Sequence, residues 1–240
     1  MSNNTDELAE SRLAVIPARG GSKRVPHKNI REFHGRPMLS WVIQEVLLSG
    51  CFGRVIVSTD CKEIASVASE AGADVPFIRP SEIAGDSAPL ASVIDHVESF
   101  YKNSNLRTIG MFFPTAVFLR AAEIIDAVNY FERNPHMDEL IPVAKFPVPL
   151  EWSYGYDKNT AILNPRFPDS LSTRSQDLKD SYYETAEFVF YKFGHRVMSR
   201  PSKGGYLIER FCMDIDTEAD WLAAEDMFML DGRFNKGLGS

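Results

Sequence analysis

Six cationic side chains, Arg19, Lys23, Arg24, Lys28, Arg31 and Arg36, fall in one short stretch that holds a single acid, Glu32. That stretch carries +5 while the whole chain carries −7, so the remainder sums to −12. A cationic loop on an acidic protein is a site for a small anion, and phosphate is the natural candidate. Gly20 and Gly21 lie among these charges, where the missing Cβ lets backbone come close to a ligand. The spacing is neither that of a P-loop nor the dinucleotide Gly-x-Gly-x-x-Gly, so phosphates must be held by another arrangement. A second feature is Asp214-Ile-Asp216. On a strand, carboxylates two residues apart point to one face and can share a hard divalent cation. On residue types alone, one helix cap beside one surface acid is the better account of them.

The elements that must position these groups alternate between two periods. Residues 13–16 are a short apolar run closed by Pro17 and read as a buried strand that delivers the chain into the cationic loop. Pro37 is placed as a first helical residue, followed by Leu39, Val42, Ile43, Val46 and Leu47 at helical spacing and by Gly50 as a stop. A β-branched strand over 54–59 leads to Asp60. A second helix carries Ile64, Val67, Ala68 and Ala71 and ends at Gly72. Further strands are expected at 75–78, 108–113, 139–144, 188–193 and 207–215, and further helices through Leu90 to Tyr101 and Ala121 to Val128. Thr217 with Asp220 is a capping-box pattern that opens the last helix. Strands alternating with amphipathic helices predict an α/β fold, a mostly parallel sheet with helices on both faces. In such sheets ligands lie at the carboxyl ends of the strands, where the loops bearing Arg19 to Asn29, Asp60, Arg79 to Asp86 and Pro114 to Phe118 should gather.

From 146 to about 180 the rhythm breaks. Pro147, Pro149, Trp152, Tyr154, Tyr156, Pro165 and Pro168 give an aromatic, proline-interrupted stretch without helical period. A structureless loop of that length is uncommon in a compact domain, and apolar rings outside the main core suggest an arm that packs on a partner.

The run Ile16-Pro-Ala-Arg-Gly-Gly-Ser-Lys-Arg-x-Pro-x-Lys-Asn29 closely resembles the signature of cytidylyltransferases that activate acidic sugars. These form the CMP-N-acylneuraminate synthetase family, and the resemblance is nearest to its pseudaminic acid branch. It extends over nearly the whole chain after residue 11. It implies a three-layer, Rossmann-like nucleotidyltransferase fold with an inserted dimerisation arm, hence a homodimer. It also implies an enzyme that joins CMP from CTP to a nine-carbon nonulosonic acid, releasing pyrophosphate, for surface-glycan or flagellin glycosylation. N-acylneuraminate, legionaminate and an eight-carbon ulosonate are the alternative acceptors, and a non-catalytic nucleotide-sugar-binding protein is the alternative from another class.

Residue by residue, the resemblance puts Ala18, Arg19, Gly20, Gly21, Ser22, Lys23 and Asn29 around the nucleotide, with Arg19 and Lys23 on the phosphates and Lys28 compensating charge at the α-phosphate. Arg79 and Asp86, in Arg-Pro-Ser-Glu-Ile-Ala-Gly-Asp, match a segment near the cytidine, followed by Pro89 and Leu90 where the family has small hydroxyl residues. Thr115, in Phe-Pro-Thr, and Arg174 and Gln176, in Thr-Arg-Ser-Gln-Asp-Leu, match positions expected at the sugar. Tyr183 and Glu187 are also expected there, in a segment that departs from the branch's own His and Gln. The Asp-Ile-Asp-Thr match makes Asp214 and Asp216 ligands of Mg²⁺, the implied cofactor.

At 240 residues the chain is one domain of ordinary size. Residues 1–11 are expected as a disordered tail, 12–232 as the nucleotidyltransferase domain with its arm at about 146–185, and 233–240 as a flexible tail. A pI near 5.3 argues against a nucleic-acid or anionic-membrane surface. Cys51, Cys61 and Cys212 lack metal spacing and read as free thiols of a reducing compartment. With no charged-then-apolar start and no long apolar run, a cytoplasmic protein is expected. The histidines, His27, His34, His96, His136 and His195, form no metal-ligand spacing.

Overall fold

A computed structural model describes residues 7–85, 89–194 and 201–230. In chain order the strands are β1 (Arg12–Pro17), β2 (Glu32–Phe33), β3 (Arg36–Pro37), β4 (Arg54–Ser58), β5 (Thr108–Phe112), β6 (Glu139–Lys145), β7 (Tyr154–Asp157), β8 (Ile162–Pro165), β9 (Tyr182–Glu184), β10 (Phe188–Lys192) and β11 (Lys203–Leu207). The helices are α1 (Met38–Ser49), α2 (Lys62–Glu70), α3 (Leu90–Phe100), α4 (Ala121–Arg133) and α5 (Glu218–Leu230).

The central sheet runs β11-β6-β10-β5-β1-β4, with β9 added to the end of β6. β4, β1 and β5 are parallel, as are β6 and β11, and β10 enters antiparallel between β5 and β6. Alternation along β1 sends Ala14 and Ile16 to one face and Leu13 and Val15 to the other, all fully buried. α1, α2 and α4 cover the first face through Leu39, Ile43, Ile64, Ile124 and Phe131, and α3 covers the second through Ile94 and Val97. The expected layering is thus observed. α5 does something different: Trp221, Ala224 and Phe228 form a separate core with Val25, Phe33, Met38, Phe118 and Ile215, under the loops at one end of the sheet.

Local signals act as anticipated at several ends. Gly50 closes α1 in the left-handed region at φ 61°. The hairpin between β2 and β3 turns on His34 and Gly35, both at positive φ, as a two-residue turn of matching twist requires. Thr217 and Asp220 form the reciprocal capping box: the Asp220 amide donates to Thr217 Oγ1 and the Thr217 amide donates to Asp220 Oδ2. Pro37 precedes α1 as its cap.

Three expectations are corrected. Residues 75–78 make only one isolated bridge, Thr59 with Ile78, beside a second just before them, Ile56 with Asp74, because Pro76 has no N–H to continue a ladder. The last strand is Lys203–Leu207, and 208–215 runs on without a ladder. Leu207 pairs with Val143, and β6 ends two residues later, so the partner runs out. The real strand was hidden by Gly204 and Gly205; a Cβ at Gly204 would overlap Met137 Sδ. Residues 7–10, expected within a disordered tail, are helical, and the Gly53 amide donates to Ala9 O at 2.7 Å.

The arm leaves from the end of β6 and returns along it as β9, Lys145 opposite Tyr182 and Val143 opposite Glu184. Between them β7 and β8 form an antiparallel hairpin, so the stretch is not structureless. Tyr156, Ile162 and Leu163 on that hairpin are more than half exposed.

Candidate active site

The cationic loop is held in shape from below. Val25 is fully buried in the α5 core, Asn29 Nδ2 donates to Arg19 O at 3.0 Å, and the Leu39 amide donates to Asn29 O. The amide of Gly20 donates to Asp60 Oδ1 at 3.0 Å, linking the loop after β1 to the loop after β4. The two glycines have separate jobs. A Cβ at Gly20 would press on Cys61 Cβ at 3.0 Å, whereas one at Gly21 would meet nothing within 4 Å. Gly20 is therefore a packing requirement, and Gly21 is the open face. His27 takes a left-handed φ of 54°, a conformation that histidine tolerates better than most residues.

A cleft of about 540 Å³ opens at the carboxyl ends of β1 and β5. Arg19, Ser22, Lys23, Arg24, Lys28 and Asn29 line one side of it. Asp214 and Asp216 line it too, with Thr115 and Phe113 from the loop after β5. The loop and the acid pair, nearly 190 residues apart in sequence, thus share one cavity. Lys28 Nζ lies 2.5 Å from Ile215 O and 3.3 Å from Asp216 Oδ1, and Arg24 reaches Asp216 Oδ2 at 2.8 Å. Thr115 Oγ1 donates to Asp214 Oδ1 at 3.2 Å. Although no ladder carries this segment, Ile215 is fully buried between its two neighbouring acids, which turn into the cleft. The alternation that a strand would have provided is supplied by burying the middle side chain.

Arg79 closes another wall, with Ile83, Ala84 and Gly85 beside it. Its side chain is buried, and Nε and Nη2 have no hydrogen-bond partner among the described residues; Asp60 Oδ1 lies 3.9 Å from Nη2. Burial pushes the Arg79 pKa down, and the charge of Arg19 adds to this. Two desolvated donors facing a cleft favour an anionic or carbonyl acceptor there. Ala18, expected beside the nucleotide, is fully buried in the core beneath the loop. Asp86 lies outside the described residues.

A second cavity of about 280 Å³ adjoins the first, sharing Leu90 and Phe113. Ile94, Met111 and Val189 make it mostly apolar, while Glu184, Glu139 and Asp138 place acids around it.

The residues expected at the sugar separate. Thr115 is in the cleft. Glu187 is not: it is 2 % exposed, paired with Arg210 Nη1 at 2.8 Å, and accepts from Thr185 Oγ1. Its position as a sugar contact is corrected to an interior ion pair, in which burial still pushes the Glu187 carboxyl up. Tyr183 also lines neither cavity; it packs on Phe146 at 5.1 Å, with Cys212 nearby. The neighbour that reaches the second cavity is Glu184. Arg174 and Gln176 lie on the arm. Arg174 is exposed and pairs with Asp177 three residues on, and Gln176 lines a hollow of the arm itself. Sequence reasoning gave no site role to Asp60, Phe113 or Arg210; Arg24 was legible as a member of the charge cluster.

The donor chemistry suits a hard cation incompletely on its own. Among the described residues no group of three or more His, Cys, Asp or Glu side chains is placed to hold a metal. Two carboxylates at a cationic cleft are the set that Mg²⁺ uses when phosphate oxygens and water complete its octahedron.

Comparison with known proteins identifies the family and the fold. A family model described as Cytidylyltransferase matches residues 13–192. The chain is 32% identical over 181 residues to a pseudaminic acid cytidylyltransferase of Campylobacter jejuni, covering 74% of this chain and 77% of that one. It is 29% identical over 228 residues to a CMP-N,N'-diacetyllegionaminic acid synthase of Legionella pneumophila, covering 91% and 97%. Among solved structures, a CMP:2-keto-3-deoxy-manno-octonic acid synthetase complexed with CTP superposes with a TM-score of 0.67 at 14% identity, covering 92% of this chain and all of that one. A 4-diphosphocytidyl-2C-methyl-D-erythritol synthase from Anaerococcus prevotii gives 0.61 at 10% identity, covering 92% and 99%.

Proposed function

The chain belongs to the cytidylyltransferase family, and from that premise we propose that it activates a nonulosonic acid, pseudaminic acid or a close relative, with CTP. The anomeric hydroxyl of the sugar acid attacks the α-phosphorus of CTP. A new O–P bond forms as the bond to pyrophosphate breaks, and the hydroxyl proton leaves to solvent or a nearby base. The observation that carries this reading is the meeting of the cationic loop with Asp214 and Asp216 in one cleft.

Most of the chain's contribution is positioning and electrostatics. Arg19 and Lys23 hold the triphosphate, with Gly21 and Ser22 offering open backbone beside it, and Lys28 meets charge that develops at the α-phosphate. Arg79 satisfies its two free donors on the nucleotide. Asp214 and Asp216 hold Mg²⁺, which when bound neutralises phosphate charge. Thr115, bonded to Asp214, keeps that carboxylate turned into the cleft. The sugar acid occupies the adjoining cavity, where apolar walls suit an N-acyl or deoxy carbon skeleton and Glu184 accepts hydroxyls. Its own carboxylate is best turned away from the three acids, toward the cationic cleft.

The arm's exposed apolar hairpin supports a homodimer, in which Arg174 and Gln176 meet the partner. A cytosolic location fits the three free thiols, and among the described residues no helix is long and apolar enough to cross a membrane.

The deciding experiment measures pyrophosphate release with CTP and Mg²⁺ across pseudaminic, legionaminic and N-acylneuraminic acids and an eight-carbon ulosonate. Turnover with one nine-carbon acid preferred is the expected result. CTP binding without turnover on any acid overturns the enzyme reading and leaves a nucleotide-sugar-binding protein.

A further inference from the structure

The segment carrying Asp214 and Asp216 has no ladder beyond Ile208, whose amide donates to Val143 O at 2.8 Å, yet both carboxylates must hold position. Four residues before Asp214, the side chain of Arg210 joins three elements at one point. Its Nε donates to both oxygens of Glu123 at 2.7 and 2.8 Å, on the first turn of α4. Its Nη1 donates to Glu187 Oε1 at 2.8 Å, just before β10, and to its neighbour's carbonyl, Phe211 O, at 3.0 Å. Glu187 is the hub of two routes to one atom group. Through its side chain it holds Arg210 and so the root of the acid segment. Through its carbonyl it accepts the Phe113 amide at 2.9 Å, fixing the turn from which Thr115 donates to Asp214 Oδ1. The opposite end is held by Ile215 in the α5 core and by Asp220, which accepts the Asp216 amide at 3.1 Å.

We infer that Arg210, clamped between Glu187 and Glu123, is a positioning residue for the metal-binding acids, fixing Asp214 relative to Thr115 and the cationic loop. It touches neither cavity, so its effect on the site is indirect. The inference rests on the reading of Asp214 and Asp216 as the metal pair. A guanidinium can reach two carboxylates from separate edges of one planar fork, which an ammonium cannot reproduce.

The test uses Mn²⁺ as the probe, its binding to the full chain with CTP followed by electron paramagnetic resonance well below the melting temperature. In Arg210→Met a buried carboxylate loses its cation, and that variant can fail to fold, so Arg210→Lys is measured beside it. Glu187→Gln keeps volume and an acceptor for Arg210. The expected result is Mn²⁺ affinity weakened about tenfold in Arg210→Lys, with CTP affinity in the absence of metal unchanged and Glu187→Gln close to wild type. Raising Mg²⁺ should restore most of the kcat of Arg210→Lys. A lower melting temperature with wild-type Mn²⁺ affinity would make Arg210 merely structural and overturn the inference. Wild-type protein that binds no Mn²⁺ with CTP would instead sink the metal reading beneath it, a failure distinguishable because it appears without any substitution.

Discussion

At the carboxyl edge of the sheet, charges are held from beneath. Asn29, Asp60 and Thr115 fix the cleft's backbone and side chains, and Val25 and Ile215 plant both of its loops in the α5 core. The arm is held only at its base, where β9 pairs with β6, and beyond it Tyr156, Ile162 and Leu163 face outward. The cleft can thus be assembled by one chain, whereas the arm leaves apolar surface that one chain does not bury. Polar groups gain from being pre-set by the fold that carries them. Apolar groups gain only when something covers them.

Four experiments would break or sharpen that contrast. The largest effect is expected from Asp214→Asn or Asp216→Asn, with kcat down by about two to three orders of magnitude and the melting temperature little changed. Steady-state pyrophosphate release and a thermal melt check this, and full activity with Mg²⁺ would refute the metal assignment. Next, charging the hairpin with Tyr156→Asp and Ile162→Asp should convert a dimer to a monomer in sedimentation velocity while CTP affinity stays as in wild type. A fall in CTP affinity on dissociation would show that the cleft is not self-contained. Arg79→Met should weaken CTP binding by about tenfold in calorimetry, since the ligand's acceptor loses a buried cationic donor. The smallest effect concerns pH. Burial raises the Glu187 pKa above its unfolded value, so its contribution to stability is fully present below the ordinary carboxylate range and is lost as pH rises through the raised value. Melting temperatures of Glu187→Gln should therefore decline less than those of wild type as pH climbs from about 4.5 toward neutrality.

Much of the cleft could be read in advance because its parts obey local rules. Gly50, the Thr217–Asp220 box and the alternation along residues 13–16 each act through neighbours a few positions away. The cationic loop is equally local, since clustering in sequence guarantees clustering in space. Glu187 shows where that reasoning stops. An acid near a suspected sugar site gives no sign in sequence that an arginine 23 residues later will claim it. The same holds for Tyr183 and Glu184, adjacent residues of which one turns toward Cys212 and the other lines a cavity. A shift of one residue reverses the face, and only the register of β9 on β6 fixes it. The strand at 203–207 was missed for a related reason. Its glycines have poor strand propensity, but a Cβ at Gly204 would overlap Met137 and one at Gly205 would crowd Val143.

Sequence by itself determined most of the alternating elements, the cationic loop and the positions of both acids, because charge, period and capping are properties of short stretches. Tertiary structure alone decided that the loop and the acids face one another, that Ile215 is the buried pivot between Asp214 and Asp216, and that Glu187 serves Arg210. Those outcomes depend on which distant strands pair and where a partner strand ends, and no local propensity encodes either.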